Sequence, residues 1–171
     1  ALRIPLGYLF LSQHPTESIP IPDLRTIRDN RFRSLSPDFI ELLNNINQKL
    51  DWYKDYRREN DYPALTFINS FNLQSRPEDV AGNIKDTLGI DQSFRNAAVN
   101  WEDFLRKLIQ RCEEEGILVF RSGVVGNNTR RKLLTEEFRG FAISDNYAPA
   151  IFLNGEDAKA AQIFTLAHEL A

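Results

Sequence analysis

Residues 136–171 read EEFRGFAISDNYAPAIFLNGEDAKAAQIFTLAHELA. FRGFAIS (138–144) and PAIFLN (149–154) are short, apolar and separated by turn residues, which predicts two strands. Behind them Ile163, Leu166 and Leu170 recur at helical spacing. They predict a helix that begins at Asn154 and carries Glu156 and Asp157 in its first turn, where acids are favoured. Ahead of this run, ILVFRS (117–122) reads as a third strand, and SGVVGNNT (122–129) as a loose turn.

Further toward the N-terminus the period is helical. Ser36 is a good N-cap, Pro37 suits the first helical position, and Phe39, Leu42, Leu43, Ile46, Leu50, Tyr53 and Tyr56 form a stripe. LTFINSFNL (65–73) is apolar and aromatic, and fits either a strand or an irregular link. Ser75 and Pro77 open a second helix that Gly89 closes. Asn100 caps a third, with Trp101, Phe104, Leu105, Leu108, Ile109 and Cys112 as its buried stripe and Gly116 at its end. Helices, then a small sheet, then a helix predict an α+β fold with a mostly antiparallel three-stranded sheet.

Composition narrows the function. Apolar residues make up 42% of the 171, charged residues 26%, and 21 Lys+Arg against 24 Asp+Glu leave a formal charge of -3. That balance excludes a polybasic nucleic-acid binder and argues against a membrane-surface protein. A lone cysteine, Cys112, excludes an internal disulfide and a multi-thiolate zinc site. No apolar run approaches the ~20 residues of a membrane span, so the reading is a cytoplasmic protein with no membrane partner. The chain opens at Ala1 in an apolar, helix-like stub with Pro5 in its first turn, and stops at Ala171 inside a helical pattern with no Gly, Asn or Pro to end it. Both ends read as cut, and the expectation is a fragment of a longer protein. Pro15, Pro20 and Pro22 make 13–35 an extended strap.

The chemistry is concentrated at the end of the last helix. His168-Glu169 begins the pattern His-Glu-x-x-His, whose two imidazoles, one helical turn apart on one face, can bind one zinc ion. The glutamate, offset by about 100°, can reach a water without ligating the metal and act as general base. A His-Glu pair alone is common in helices and does not establish such a site. His168 lies opposite the Ile163–Leu166–Leu170 seam, on the face of Asp157, Ala161, Phe164 and Thr165, so the helix is expected to be buried on both sides near its end. Ala161 and Ala171 leave space beside the imidazole for a metal and a substrate chain.

The run 136–171 resembles the ImmA/IrrE family of zinc metallopeptidases. The resemblance rests on Glu137 through Phe141, Asp145, Pro149, Ile151 to Asn154, Asp157, and Phe164-Thr165 ahead of Ala167-His168-Glu169. Leu88-Gly89-Ile90, Trp101 and Glu115 through Phe120 extend it back to about residue 78. RIPLGYLFLS (3–12) and IPDLRT (21–26) are similar to the junction in longer members, where a helix-turn-helix domain comes first. The resemblance implies that residues 1–12 are the last helix of that domain, 13–35 a strap, and 36–171 the N-terminal part of a metallopeptidase-like domain with a zincin-like metal helix. It implies that His168 is a zinc ligand, that Glu169 is the general base, that the substrate is a protein such as a transcriptional repressor, and that DNA is bound through the preceding domain. The second histidine and a third ligand, which the family supplies downstream, do not occur in the sequence, and no spacing argument lets His14 replace them. The expectation is therefore zinc in the intact protein, and neither zinc nor activity in the fragment.

PAIFLN stands immediately before that helix, and Pro149 cannot donate a ladder hydrogen bond, which suits the start of an edge strand. Ala150, Ile151, Phe152 and Leu153 are accordingly expected to bind an extended substrate by strand addition. The rival reading is a non-catalytic sensor or scaffold domain of a DNA-binding regulator, with the same fold holding a ligand or partner. Other candidates have simpler accounts. DWYKDYRREN (51–60) could stack on single-stranded nucleic acid. Its acids favour instead a helix with Tyr53 and Tyr56 half-buried and Asp51–Lys54 and Asp55–Arg58 pairs. Asp23 and Arg25 suit structural ion pairs, Cys112 a small core residue, and Arg130-Arg131-Lys132 a solvated loop.

Overall fold

The computed structural model describes residues 36–171, together with Phe10. The rest of the stub, and the strap with its His14, Asp23 and Arg25, lie outside the described residues. The elements are α1 (Pro37–Glu59), α2 (Pro77–Leu88), α3 (Gln92–Asn96), α4 (Trp101–Glu114), β1 (Leu118–Ser122), β2 (Val124–Val125), β3 (Asn128–Lys132), β4 (Gly140–Ile143), β5 (Ala150–Asn154) and α5 (Lys159–Glu169).

The fold is α+β, as the order of patterns predicts. The main sheet has three strands in the order β1-β5-β4, with β5 parallel to β1 and antiparallel to β4, and β2 and β3 form a separate antiparallel pair. Side chains alternate across β5 and build two cores. Ala150 and Phe152 face Phe39, Leu42, Leu43 and Ile46 of α1, with Phe138 and Phe141 between them. Ile151 and Leu153 face Leu105, Leu108 and Cys112 of α4 and Leu166 of α5. The sheet is thus a middle layer, with α1 on one face and α4 and α5 on the other. Phe141 and Phe152 stack at 5.3 Å, and Phe39 meets Phe138 at 4.6 Å, which fixes α1 against the sheet.

Helix starts follow their caps. Ser36 Oγ accepts from Phe39 N at 3.1 Å, and Glu137 accepts from both Ser36 N and Ser36 Oγ at 2.8 Å, so the turn before β4 clamps the start of α1. Asn100 caps α4 by accepting from Asp103 N at 2.9 Å, and Gly89 ends α2 in the left-handed conformation. α3, capped by Asp91, is an element that the sequence reading omits.

Several expectations change. SGVVGNNT is a hairpin: Gly126 and Asn127 both have positive φ between paired Val125 and Asn128, the geometry of a tight turn matched to strand twist. Arg131 belongs to β3 rather than to a solvated loop, and donates to Asp38 at 2.6 Å and to Glu41 at 2.7 and 2.9 Å on α1. Asn154 ends β5 instead of opening the last helix, which starts at Lys159. LTFINSFNL is the irregular link, built of turns. Trp101 is 63% exposed and not part of a buried stripe. The cations of 51–60 leave their local acids: Lys54 pairs with Asp145, Arg57 donates to Pro63 O at 3.1 Å, and Arg58 lies over the Tyr147 ring. Among the described residues no helix is long and apolar enough to cross a membrane.

Candidate functional site

α5 is placed by buried polar groups at the turn that precedes it. Asn154, fully buried, donates to Phe138 O at 3.1 Å and accepts from Glu156 N at 3.1 Å, which ties the end of β5 to the approach of β4. Gln162, also buried, reaches back from the first turn of α5 to Asp157 O at 2.6 Å and Gly155 O at 3.4 Å. Gly140 lets β4 lie flush on the helix, because a Cβ there would meet the Thr165 methyl and Phe152 O, the latter at 2.7 Å. Leu166 and Thr165 then seal the helix to the sheet.

His168 and Glu169 fall in the last turn of α5. The imidazole is exposed and stacks on Phe164, one turn earlier, at 6.5 Å and 9°. Phe164 is itself 74% exposed. The expectation of a helix buried on both sides is therefore corrected: Thr165 is covered, while Phe164 and His168 face outward. This open face can admit a ligand to the imidazole.

Both residues border a cavity of about 520 Å³. Of the four residues expected to bind substrate, Ala150 and Ile151 line the same cavity, whereas Phe152 and Leu153 are buried in the two cores. The strand-addition role assigned to 150–153 is overturned by topology. β5 is the central strand, and both of its edges are already paired, to β1 and to β4. Pro149 does not make it an edge; its carbonyl accepts from Leu118 N at 2.9 Å. The edge strands of this sheet are β1 and β4, and of the two it is β4 that borders the cavity. Asn154 N donates to Arg139 O at 2.8 Å, so by alternation Phe141 and Ile143 bond β5. The backbone groups of Ala142 and Ser144 then point away from it, toward the side that no strand among the described residues occupies.

Sequence reasoning missed the far wall of this cavity, which is made by Phe67, Ile68 and Phe71 of the link and Val80 and Ile84 of α2. The signal was the apolar, aromatic character of LTFINSFNL, which a link on the surface does not need.

The donor set can be tested against a metal. Zinc in a catalytic site takes three protein ligands. Among the described residues no three His, Cys, Asp or Glu side chains cluster to hold a metal ion. Cys112 is fully buried in the α4 core, where burial, followed by the Glu113 charge, pushes its thiol up to about 12, so it is not a ligand. His168 with Glu169 fits one part of a zinc site, an imidazole donor and an adjacent carboxylate, and does not form a complete one.

The loop between β4 and β5 that borders the cavity is fixed by Asp145. Burial alone would raise its carboxyl, but the Lys54 ammonium and the N–H groups of Tyr147 (2.8 Å) and Ala148 (3.1 Å) outweigh it and hold the group below the usual range.

No curated protein and no solved structure matches the chain. A family model does: Peptidase_M78, the IrrE N-terminal-like domain, matches residues 112–171, which include the end of α4, β1 through β5 and α5. That match, over the stretch holding the sheet and the His168–Glu169 turn, is a similarity of residues 112–171 to the IrrE-like domain, and it supports a metallopeptidase-family relationship.

Proposed function

We propose that residues 36–171 contribute the N-terminal part of a zinc-dependent endopeptidase domain, with His168 as a metal ligand and Glu169 as general base. The observation that carries this reading is the position of the pair: an exposed imidazole and its neighbouring carboxylate in the last turn of α5, at the border of a cavity with apolar walls and inside the family-matched stretch. Zinc, when bound, would supply a Lewis acid for a peptide carbonyl and lower the pKa of water. The chain's own residues would do the rest. Glu169, offset around the helix from His168, would take the proton from the attacking water and deliver it to the leaving amine. The open edge of β4 offers the Ala142 and Ser144 backbone groups to an extended substrate, in the role first assigned to β5. The substrate would be a protein, and by the family resemblance a transcriptional repressor or similar regulator.

The test is His168→Ala in the natural polypeptide that contains this sequence. Zinc content and hydrolysis of a protein substrate are expected to disappear together. Retention of stoichiometric zinc would remove His168 from the site, and the absence of hydrolysis in the unaltered polypeptide would favour a non-catalytic regulatory domain.

A further inference from the structure

The cavity beside Glu169 is lopsided in its chemistry. Its walls are Phe67, Ile68 and Phe71 from the 65–73 link, Val80 and Ile84 from α2, and Ile151 from β5. Among the described residues that line it, Glu169 is the one side chain with a full charge, and His168 the one other titratable side chain. At about 520 Å³ it falls within the range of sites that enclose part of a ligand.

The apolar wall is preformed. Ser70 Oγ donates to Phe67 O at 2.7 Å, Asn72 N to Ser75 Oγ at 3.1 Å, Gln74 N to Asn72 Oδ1 at 2.9 Å, and Asn69 takes a positive φ, so the link is folded on itself turn by turn. α2 behind it is anchored through Leu88, which is 2% exposed. The mouth is rimmed by Phe71 and Leu73, the latter 83% exposed.

One border of the cavity is the open edge of β4, since Ala142, Ile143 and Ser144 line it. A peptide added to that edge would alternate its side chains across the sheet plane. The residue opposite Ala142 would project to the same face as Ala142, the side on which α4, α5 and Ile84 pack. That face carries the cavity.

We infer that this cavity is a side-chain pocket for one large apolar residue, leucine or phenylalanine in class, of an extended peptide held on the edge of β4, and that it sets where such a peptide is positioned against Glu169. The inference rests on the peptidase reading above and supplies its specificity. An aliphatic or aromatic side chain gains by leaving water for these walls. An acidic one would be stripped of water beside the like charge of Glu169.

The test uses the full chain without added metal, and a set of acetylated, amidated heptapeptides of alanine and serine with Phe, Leu, Ala, Asp or Lys at the centre. Binding is followed by NMR titration of backbone amides. The Phe and Leu peptides are expected to bind at least about tenfold more tightly than the Ala peptide, with shifts at Val80, Ile84, Ala142 and Ser144. The Asp and Lys peptides are expected to bind more weakly than the Phe and Leu peptides. Phe71→Asp, a substitution on the rim, is expected to remove that tenfold advantage without changing the melting temperature. Val80→Trp, which fills the pocket from α2, is expected to do the same. Equal affinities across the set, no binding by any member, a preference for Asp or Lys, or an undiminished Phe preference in both variants would overturn the pocket. Because no turnover is read, the two proposals fail separately. Hydrolysis indifferent to the central residue would sink the pocket alone. Discrimination without hydrolysis in the natural polypeptide would sink the peptidase reading and leave the pocket as a binding site.

Discussion

Asp145 is where the β4–β5 loop meets α1, through Lys54, and its environment makes a pH-dependent prediction. Its carboxyl titrates below the ordinary 3.8 in the folded chain, so folding favours the charged form. The contribution is therefore complete above 3.8 and lost as the pH falls below it. Asp145→Asn is expected to cost about 1–3 kcal/mol at pH 7, the scale of hydrogen bonds to a charged group. The gap to the unaltered chain should narrow in thermal melts taken below pH 3.8; a gap independent of pH would mean that the charge is not what holds the loop. Cys112 tests the α4 core in the same way. With the thiol buried and pushed up to about 12, it should resist a thiol reagent at pH 8 in the folded chain and react once the chain is unfolded in denaturant. Fast modification of the folded protein would show that the core opens. Both residues were legible from sequence only in part: the helical stripe assigned Cys112 to a core, but no local pattern links Lys54 to an aspartate 91 positions away.

β5 shows what an apolar run says and what it hides. AIFLN has no polar alternation, the mark of a strand covered on both faces, and every residue of it is buried. The run therefore predicted a strand correctly, while the proline before it suggested an edge that the pairing does not have. Order within a sheet depends on which distant strands arrive, and β1 reaches β5 across the whole hairpin and β4. The hairpin itself was hidden because its two strands are short and β3 is polar, so only the Gly126-Asn127 turn marked it. α5 was recognised, but its start was placed early because Asn154, Glu156 and Asp157 look like a helix opening; Asn154 instead spends its amide on Phe138 O. The contact that seats α5 gives an element-scale prediction. Gly140→Ala puts a methyl against the Thr165 side chain and the Phe152 carbonyl, and backbone cannot yield cheaply. A loss of about 1–3 kcal/mol in denaturant unfolding is expected, and with it displacement of the turn carrying His168 and Glu169. An unchanged midpoint would show that β4 and α5 are less closely seated than the structure has them.

At the scale of the molecule, two cores flank one sheet, and the site sits where the second core opens at the end of α5. The helical stripes and apolar runs made that α+β layering readable, and the His168-Glu169 pair was readable as a dipeptide. The cavity was not, because its walls come from four separated stretches: the 65–73 link, α2, the β4–β5 strands and α5. The donor set makes a prediction for residues 1–171 purified alone. With one exposed imidazole and no three-ligand cluster among the described residues, no stoichiometric zinc is expected after dialysis, and metal analysis giving one zinc per chain would require ligands elsewhere. The central claim is that Glu169 is the base and His168 the ligand of a peptidase site. It is tested most directly by Glu169→Gln in the natural polypeptide, with zinc content and hydrolysis measured on the same sample. The account predicts that zinc stays bound while hydrolysis falls by about 100-fold or more, since the amide cannot accept the proton from water. Hydrolysis at the unaltered rate would contradict it.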